Sequence, residues 1–131
     1  MSRASVLARG RIAAEAGMVD TCTIRRRTGE ATDPDTGDVA LAWEAVYTGP
    51  CRVQQPRAAQ SQQHTPGEDY QLLARMELQL PVLVTGVRVG DEVEVTASRD
   101  ADLVGRVLLV RDLMHKTDAS ARRLGVTERT D

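Results

Sequence analysis

Apolar and polar residues alternate with a period of two along much of the chain, and short clusters of Gly, Pro and Asp interrupt the alternation. The clearest run is 70–80, where Tyr70, Leu72, Ala74, Met76, Leu78 and Leu80 share one face. Gln71, Arg75, Glu77 and Gln79 take the other, and Pro81 ends the run. Thr21 to Arg27 alternates in the same way, with Cys22 and Ile24 together. Asp33-Pro-Asp-Thr-Gly-Asp38 is a dense turn signal, since Pro fixes one φ and Gly permits a positive one. Val39 to Tyr47 then resumes with Val39, Leu41, Trp43 and Tyr47 on one face, which predicts a hairpin whose second strand points Trp43 and Tyr47 into the core. Thr48-Gly-Pro50 predicts a corner, followed by a short strand over 51–55 with Cys51 and Val53 together.

Further on, Gly90-Asp91 predicts a tight turn into a strand with Val93 and Val95 inward, and 98–102 another turn. The segment 105–113 is apolar on both faces over Val107 to Val110, the pattern of a central strand. Residues 119–127 close the set with Leu124 and Val126. Ser2 to Ala16 reads as a helix that Ser2 or Ser5 can cap and Gly17 can end. Its stripe of Val6/Leu7, Gly10, Ala13/Ala14 and Met18 is too weak to hold it alone, so it has to dock on the barrel or on a neighbouring subunit. Without any βαβ alternation, the expected fold is mainly β: a small antiparallel β-barrel or sandwich of six or seven strands. A single domain spans 1–131, with the helix in 1–18 and the barrel in 19–131.

Pro56 to Asp69 has neither periodicity nor apolar content, which predicts a long polar inter-strand loop over 54–69. Composition sharpens the picture of the core. Aromatic residues make up only 2% of the chain and Phe is absent, so Val, Leu, Ile, Met and Ala must fill it. A core so poor in large side chains leaves stability to be gained from assembly. Cys22 and Cys51 fit buried thiols in a reducing cytoplasm better than a disulfide framework, with no signal peptide before them. No stretch approaches the ~20 apolar residues of a membrane span.

The net charge of −2 excludes a whole-chain basic footprint for nucleic acid, but its distribution is uneven. Residues 1–27 hold six Arg against Glu15 and Asp20, and residues 28–50 hold five acids and no base. Such asymmetry suits head-to-tail contacts between like subunits, and equally a merely mixed surface. Candidate contact residues are therefore Arg3, Arg9, Arg11, Arg25, Arg26, Arg27, Asp33, Asp35, Asp38, Arg122 and Arg123. Arg25 to Arg27 could meet an acidic partner or passing nucleic acid; they could also be a solvated strand end facing the hairpin's own acids.

Catalytic, metal and cofactor chemistry have no constellation. His64 and His115 stand apart from other ligand types, and no phosphate loop or nucleophile elbow occurs. The Asp33/Asp35/Asp38 cluster lacks the terminal bidentate Glu of a calcium loop and reads as a β-turn.

The order of features carries a resemblance. A short helix and a strand lead to an Asp-rich turn before Trp43, then Val-Tyr-Thr-Gly-Pro-Cys-Arg-Val53 and a long polar loop. After it come Val-Gly-Asp-Glu-Val-Glu-Val95, Asp-Leu-Val-Gly-Arg-Val-Leu-Leu-Val-Arg111 and Ala-Arg-Arg-Leu124. This resembles the head-closure (head-to-tail connector, or stopper) proteins of long-tailed bacteriophages, most of all those of actinobacterial phages and prophages. Sixteen Arg against one Lys suit a GC-rich coding sequence of that kind. The resemblance implies a virion neck protein, made in the host cytoplasm, that assembles as a homo-oligomeric ring, typically of twelve subunits. The ring would close the DNA-filled head below portal and adaptor proteins and dock the tail, with double-stranded DNA passing through it unread. It implies no enzyme, no cofactor and no membrane. It also implies a channel or gate loop, which here would hold Gln54, Gln55, Arg57, Gln60, Gln62, Gln63, His64, Glu68 and Asp69. A tail-completion or other neck protein, or a small nucleic-acid-binding β-barrel, are the alternatives.

Overall fold

The structure, a computed structural model, describes residues 2–55 and 75–129. One helix, α1 (Arg3–Ala16), precedes six strands: β1 (Asp20–Thr32), β2 (Val39–Gln54), β3 (Arg75–Leu80), β4 (Glu92–Ala97), β5 (Val107–Met114) and β6 (Arg122–Glu128). They close into a barrel in the order β1-β2-β3-β6-β5-β4, every pairing antiparallel. The expected mainly β barrel is the fold. The first half of the run over 70–80 and all of the polar loop beyond Gln55 lie outside the described residues.

Period-two alternation puts one face of each strand inside. Cys22 and Ile24, Cys51, Leu78 and Leu80, Val93 and Val95, Leu108 and Val110, and Leu124 and Val126 meet there, all nearly or fully buried. The core is thus aliphatic, as the missing Phe requires. The segment 105–113 is less uniform than its composition suggests: Leu108 and Val110 point in, while Val107 and Leu109 are half-buried on the other face. A closed barrel has no central strand: β5 has two neighbours, as every strand here does.

Two expectations about 43–53 are corrected. β2 runs unbroken through Thr48-Gly-Pro50, pairing Thr23 with Thr48 and Thr21 with Pro50. Pro50 needs no corner because β3 pairs with β2 only from Arg52 onward, so the side of β2 to which an N–H would point is open there. Gly49 lets the Tyr47 ring fold across it toward Pro50, whose carbonyl accepts the phenol at 2.7 Å. A Cβ at Gly49 would stand 2.7 Å from the Tyr47 oxygen.

The second correction concerns Trp43. Ile24 pairs with Tyr47 but Arg25 with Ala45, so Val46 is an extra residue in the ladder. A bulge of this kind shifts the parity of everything beyond it. Tyr47 stays half-buried against the core, whereas Trp43 falls on the face of Arg25 and Arg27 and is no core anchor.

α1 begins at Ser2, whose side chain accepts the Ser5 N–H at 3.1 Å, and ends at Gly17. Leu7, Gly10, Arg11 and Ala14 form its half-buried stripe, leading to buried Met18. It docks on its own chain: Arg3 pairs with Asp118, and Arg11 Nε donates to the Ala119 carbonyl at 3.2 Å.

Candidate functional site

The largest departure from a plain barrel is the far part of the β1–β2 hairpin. β4 accompanies β1 only as far as Arg25, and β3 accompanies β2 only over Arg52–Gln54. From Arg27 to Thr32, and from Val39 to Trp43, the two strands therefore pair only with each other. They form a two-stranded ribbon that leaves the barrel and ends in the Asp33–Asp38 turn. That turn is closed by Asp33 N–H to the Asp38 carbonyl and Gly37 N–H to the Asp33 carbonyl, both 2.8 Å. Gly37 adopts a φ of 76°, open to glycine at no steric cost. Asp33 also accepts the Asp35 N–H at 2.8 Å through its side chain, so the expected aspartate turn is present, one residue wider than a β-turn because its backbone bond runs from Gly37 back to Asp33.

The ribbon's two faces differ. Val39, Leu41 and Trp43 lie along one; on the other, Ala31 sits opposite Ala40 and Gly29 opposite Ala42. Val39 is 59% exposed and Leu41 44%. Free strand edges and uncovered apolar side chains in one short element are features that monomeric proteins usually suppress.

At the ribbon's root the arginine cluster is occupied. Arg26 grips Asp91 with two contacts of 2.9 Å and donates to the Gly86 carbonyl at 2.6 Å. Asp91, only 2% exposed, also accepts the Arg88 N–H at 2.8 Å. Pairing with Asp91 raises the Arg26 pKa above the ordinary guanidinium value. Glu92 is shared by Arg25 at 3.0 Å and Arg129 at 2.7 Å. The acids that Arg25 and Arg26 hydrogen-bond are therefore on and before β4, while Glu44, opposite Arg26 across the hairpin, adds a charge without a direct bond. Arg27 is turned to the ribbon, 3.6 Å from Glu30. A nucleic-acid surface built on these three arginines loses two of them to internal pairs.

The remaining candidates are scattered. Arg122 donates to the carbonyls of Val82 and Val84, both at 3.1 Å, and Arg123 is exposed on β6. Arg9 is exposed on the outer side of α1, and Asp33, Asp35 and Asp38 are exposed at the ribbon tip. Of the proposed gate residues, Gln54 donates to Glu77 at 2.7 Å and Gln55 follows β2 directly; Arg57, Gln60, Gln62, Gln63, His64, Glu68 and Asp69 lie outside the described residues. Glu77 also accepts from Gln79 at 2.8 Å, and both are buried although alternation puts them on the outer face.

Among the described residues no three His, Cys, Asp or Glu side chains gather to hold a metal ion. No described helix is long and apolar enough to cross a membrane. Sequence alternation missed the ribbon's independence because it reports the faces of a strand and not its neighbours. Length gave no signal either: the expected hairpin strands, 21–27 and 39–47, are no longer than the run over 70–80.

A family model described as "Family of unknown function (DUF6093)" matches residues 10–127, and the chain belongs to that family. No match was found among curated proteins. Among solved structures, the chain is similar to the solution structure of protein SF1141 from Shigella flexneri 2a, a structural-genomics target. The TM-score is 0.57 at 15% identity, over 85% of this chain and 92% of that one, a likeness of fold.

Proposed function

We propose that this DUF6093 member is a structural component of a phage or phage-like particle, a ring-forming connector at the neck between the DNA-filled head and the tail. The observation that carries the reading is the ribbon: an exposed two-stranded arm with an apolar stripe, on a barrel that is otherwise closed. An isolated two-stranded hairpin is marginal in water, so an arm of this kind is suited to being completed by a neighbour. The order of a short helix, an Asp-turn hairpin and a small antiparallel barrel supports it further, being that of the head-closure proteins the sequence resembles. On this reading the protein acts by shape and contact, without a reaction, and its partners are copies of itself, portal or adaptor proteins and tail proteins. DNA would pass through the ring without being read.

The test is reconstitution. The purified chain is added to portal–adaptor complexes and the product examined by native mass spectrometry and electron microscopy. A ring of this chain below the adaptor is the expected result. No association in any order of addition sinks the proposal. Gene order is an independent check, with portal and capsid genes expected upstream.

A further inference from the structure

The ribbon has a counterpart on the same molecule. The side of α1 turned away from the barrel carries Val6, 56% exposed, and Ile12, 68% exposed, with Arg9 between them. A surface helix normally puts its apolar residues inward and its charges outward. Here the inward stripe holds Arg11 and Gly10, while two of the larger apolar side chains face out. The ribbon offers the matching half: Val39, Leu41 and Trp43 in a row, with Glu30 and the aspartates of the turn toward its tip, and with Arg25 and Arg27 confined to the root beside Trp43. One surface is apolar with a cation at its centre; the other is apolar, with carboxylates around its outer end and its arginines at the root, where Arg25 is held by Glu92 and Arg27 lies near Glu30.

We infer that the occupant of the ribbon is a second copy of this chain, whose α1 receives the Val39–Leu41–Trp43 face while its Arg9 meets the ribbon's acids. Charge complementarity selects this occupant. A second ribbon would bring acid against acid, because both turns carry Asp33, Asp35 and Asp38. The helix is free for the task, since the hydrogen bonds that dock it run to Asp118 and Ala119 from its inner side and its N-terminal end. The two patches are different surfaces, so the contact is heterologous: each copy gives a ribbon and receives one. Such contacts close into rings or extend as filaments, and the inference deepens the ring reading above by naming its junction.

The heterologous form makes a mixing experiment decisive. Arg9→Glu spoils the receiving helix and leaves the ribbon intact; Leu41→Asp spoils the ribbon and leaves the helix intact. Both residues are exposed, and circular dichroism establishes that each variant is folded; Val39→Asp replaces Leu41→Asp if it is not. In sedimentation velocity the unaltered chain is expected to self-associate with rising concentration. Each variant alone is expected to do so at least about tenfold more weakly, corresponding to one lost contact of ~1.4 kcal/mol. The equimolar mixture is expected to yield a 1:1 dimer and nothing larger, because one intact ribbon and one intact helix remain. A chain carrying both Ile12→Cys and Leu41→Cys is expected to form an intermolecular disulfide ladder under mild oxidation.

Undiminished association of Arg9→Glu alone would mean that ribbons pair with ribbons, and it overturns the inference. So does a mixture that gives no dimer, or an unaltered chain that stays monomeric throughout. The neck reading fails separately. Rings on portal–adaptor complexes that tolerate both variants refute this junction and leave the neck intact. Self-association that follows the mixing rule, with no binding to portal or adaptor, does the reverse.

Discussion

The Arg25 guanidinium carbon lies 4.3 Å from the centroid of the Trp43 ring, while its Nε and Nη2 hold Glu92 at 3.2 and 3.0 Å. One side chain thereby fastens the ribbon's indole to the first residue of β4. The stacking is a cation–π contact worth roughly 0.5–1 kcal/mol at an exposed site. Arg25→Lys keeps the charge but loses both the planar stack and the fork. It is expected to lower stability by about 1 kcal/mol. Trp43 fluorescence, the chain's one indole signal, should become more accessible to acrylamide.

The position of Trp43 outside the core makes a quantitative contrast with Leu78. Leu78→Ala empties a fully buried site and is expected to cost about 2–5 kcal/mol. Trp43→Ala removes a far larger side chain yet should cost only about 1 kcal/mol, chiefly the contact with Arg25. Urea unfolding of the two variants side by side checks the ranking. A Trp43 loss as large as that of Leu78 would return the indole to the core.

Asp91 is the most buried acid among the described residues and answers both Arg26 and the Arg88 N–H. Asp91→Ala leaves those donors facing an emptied site. It is expected to destabilise the fold more than Asp35→Ala, whose side chain is exposed at the ribbon tip. Thermal unfolding by circular dichroism should show a clear drop in Tm for the first and almost none for the second.

Cys22 and Cys51 are free and fully buried. A hydrogen bond to Cys51, followed by burial, pushes the Cys22 thiol well above the ordinary thiol range. Since the thiolate is the reactive form, the folded protein should resist alkylation at neutral pH and both thiols should react in denaturant. Mass spectrometry after a timed pulse of iodoacetamide measures this. Rapid labelling of the folded chain would contradict the packing.

Burial first, and then the neighbouring thiols and Glu15, push Tyr47 up from its ordinary 10.0 to about 12. A group raised on folding keeps its proton longer in the folded state than in the unfolded one. Its contribution is therefore fully present below pH 10 and is lost as pH rises toward about 12. Tyrosinate absorbance should show one late-titrating tyrosine, and Tyr47→Phe should flatten the alkaline fall in stability over that window.

Much of the barrel could be read from alternation because a half-buried strand writes its inner face into the sequence. Cys22 and Ile24, Leu78 and Leu80, Val93 and Val95, and Leu124 and Val126 are all where period two puts them. Reading stopped at Val46. A bulge is one uncounted residue, and nothing in Ala45-Val46-Tyr47 marks it, yet it carries Trp43 from one face to the other. Pro50 misled in the opposite way, as a strong turn residue that only needed an open strand side. The arginines showed as a cluster, but their partners Asp91 and Glu92 lie far along the chain and become visible only through the β1–β4 ladder. Arg9 and the turn aspartates were legible as opposite charges; that they border apolar surfaces became visible only with the fold.

The strand order has a kinetic consequence. β6, last in sequence, lies between β3 and β5 and pairs with both, while β4 closes the cylinder on β1. The hairpin of β1 and β2 needs only its own turn and can form early. The rest must wait, because two ladders stay open until β6 has left the ribosome. The barrel is thus finished by inserting a strand between two waiting partners rather than by adding one to an edge.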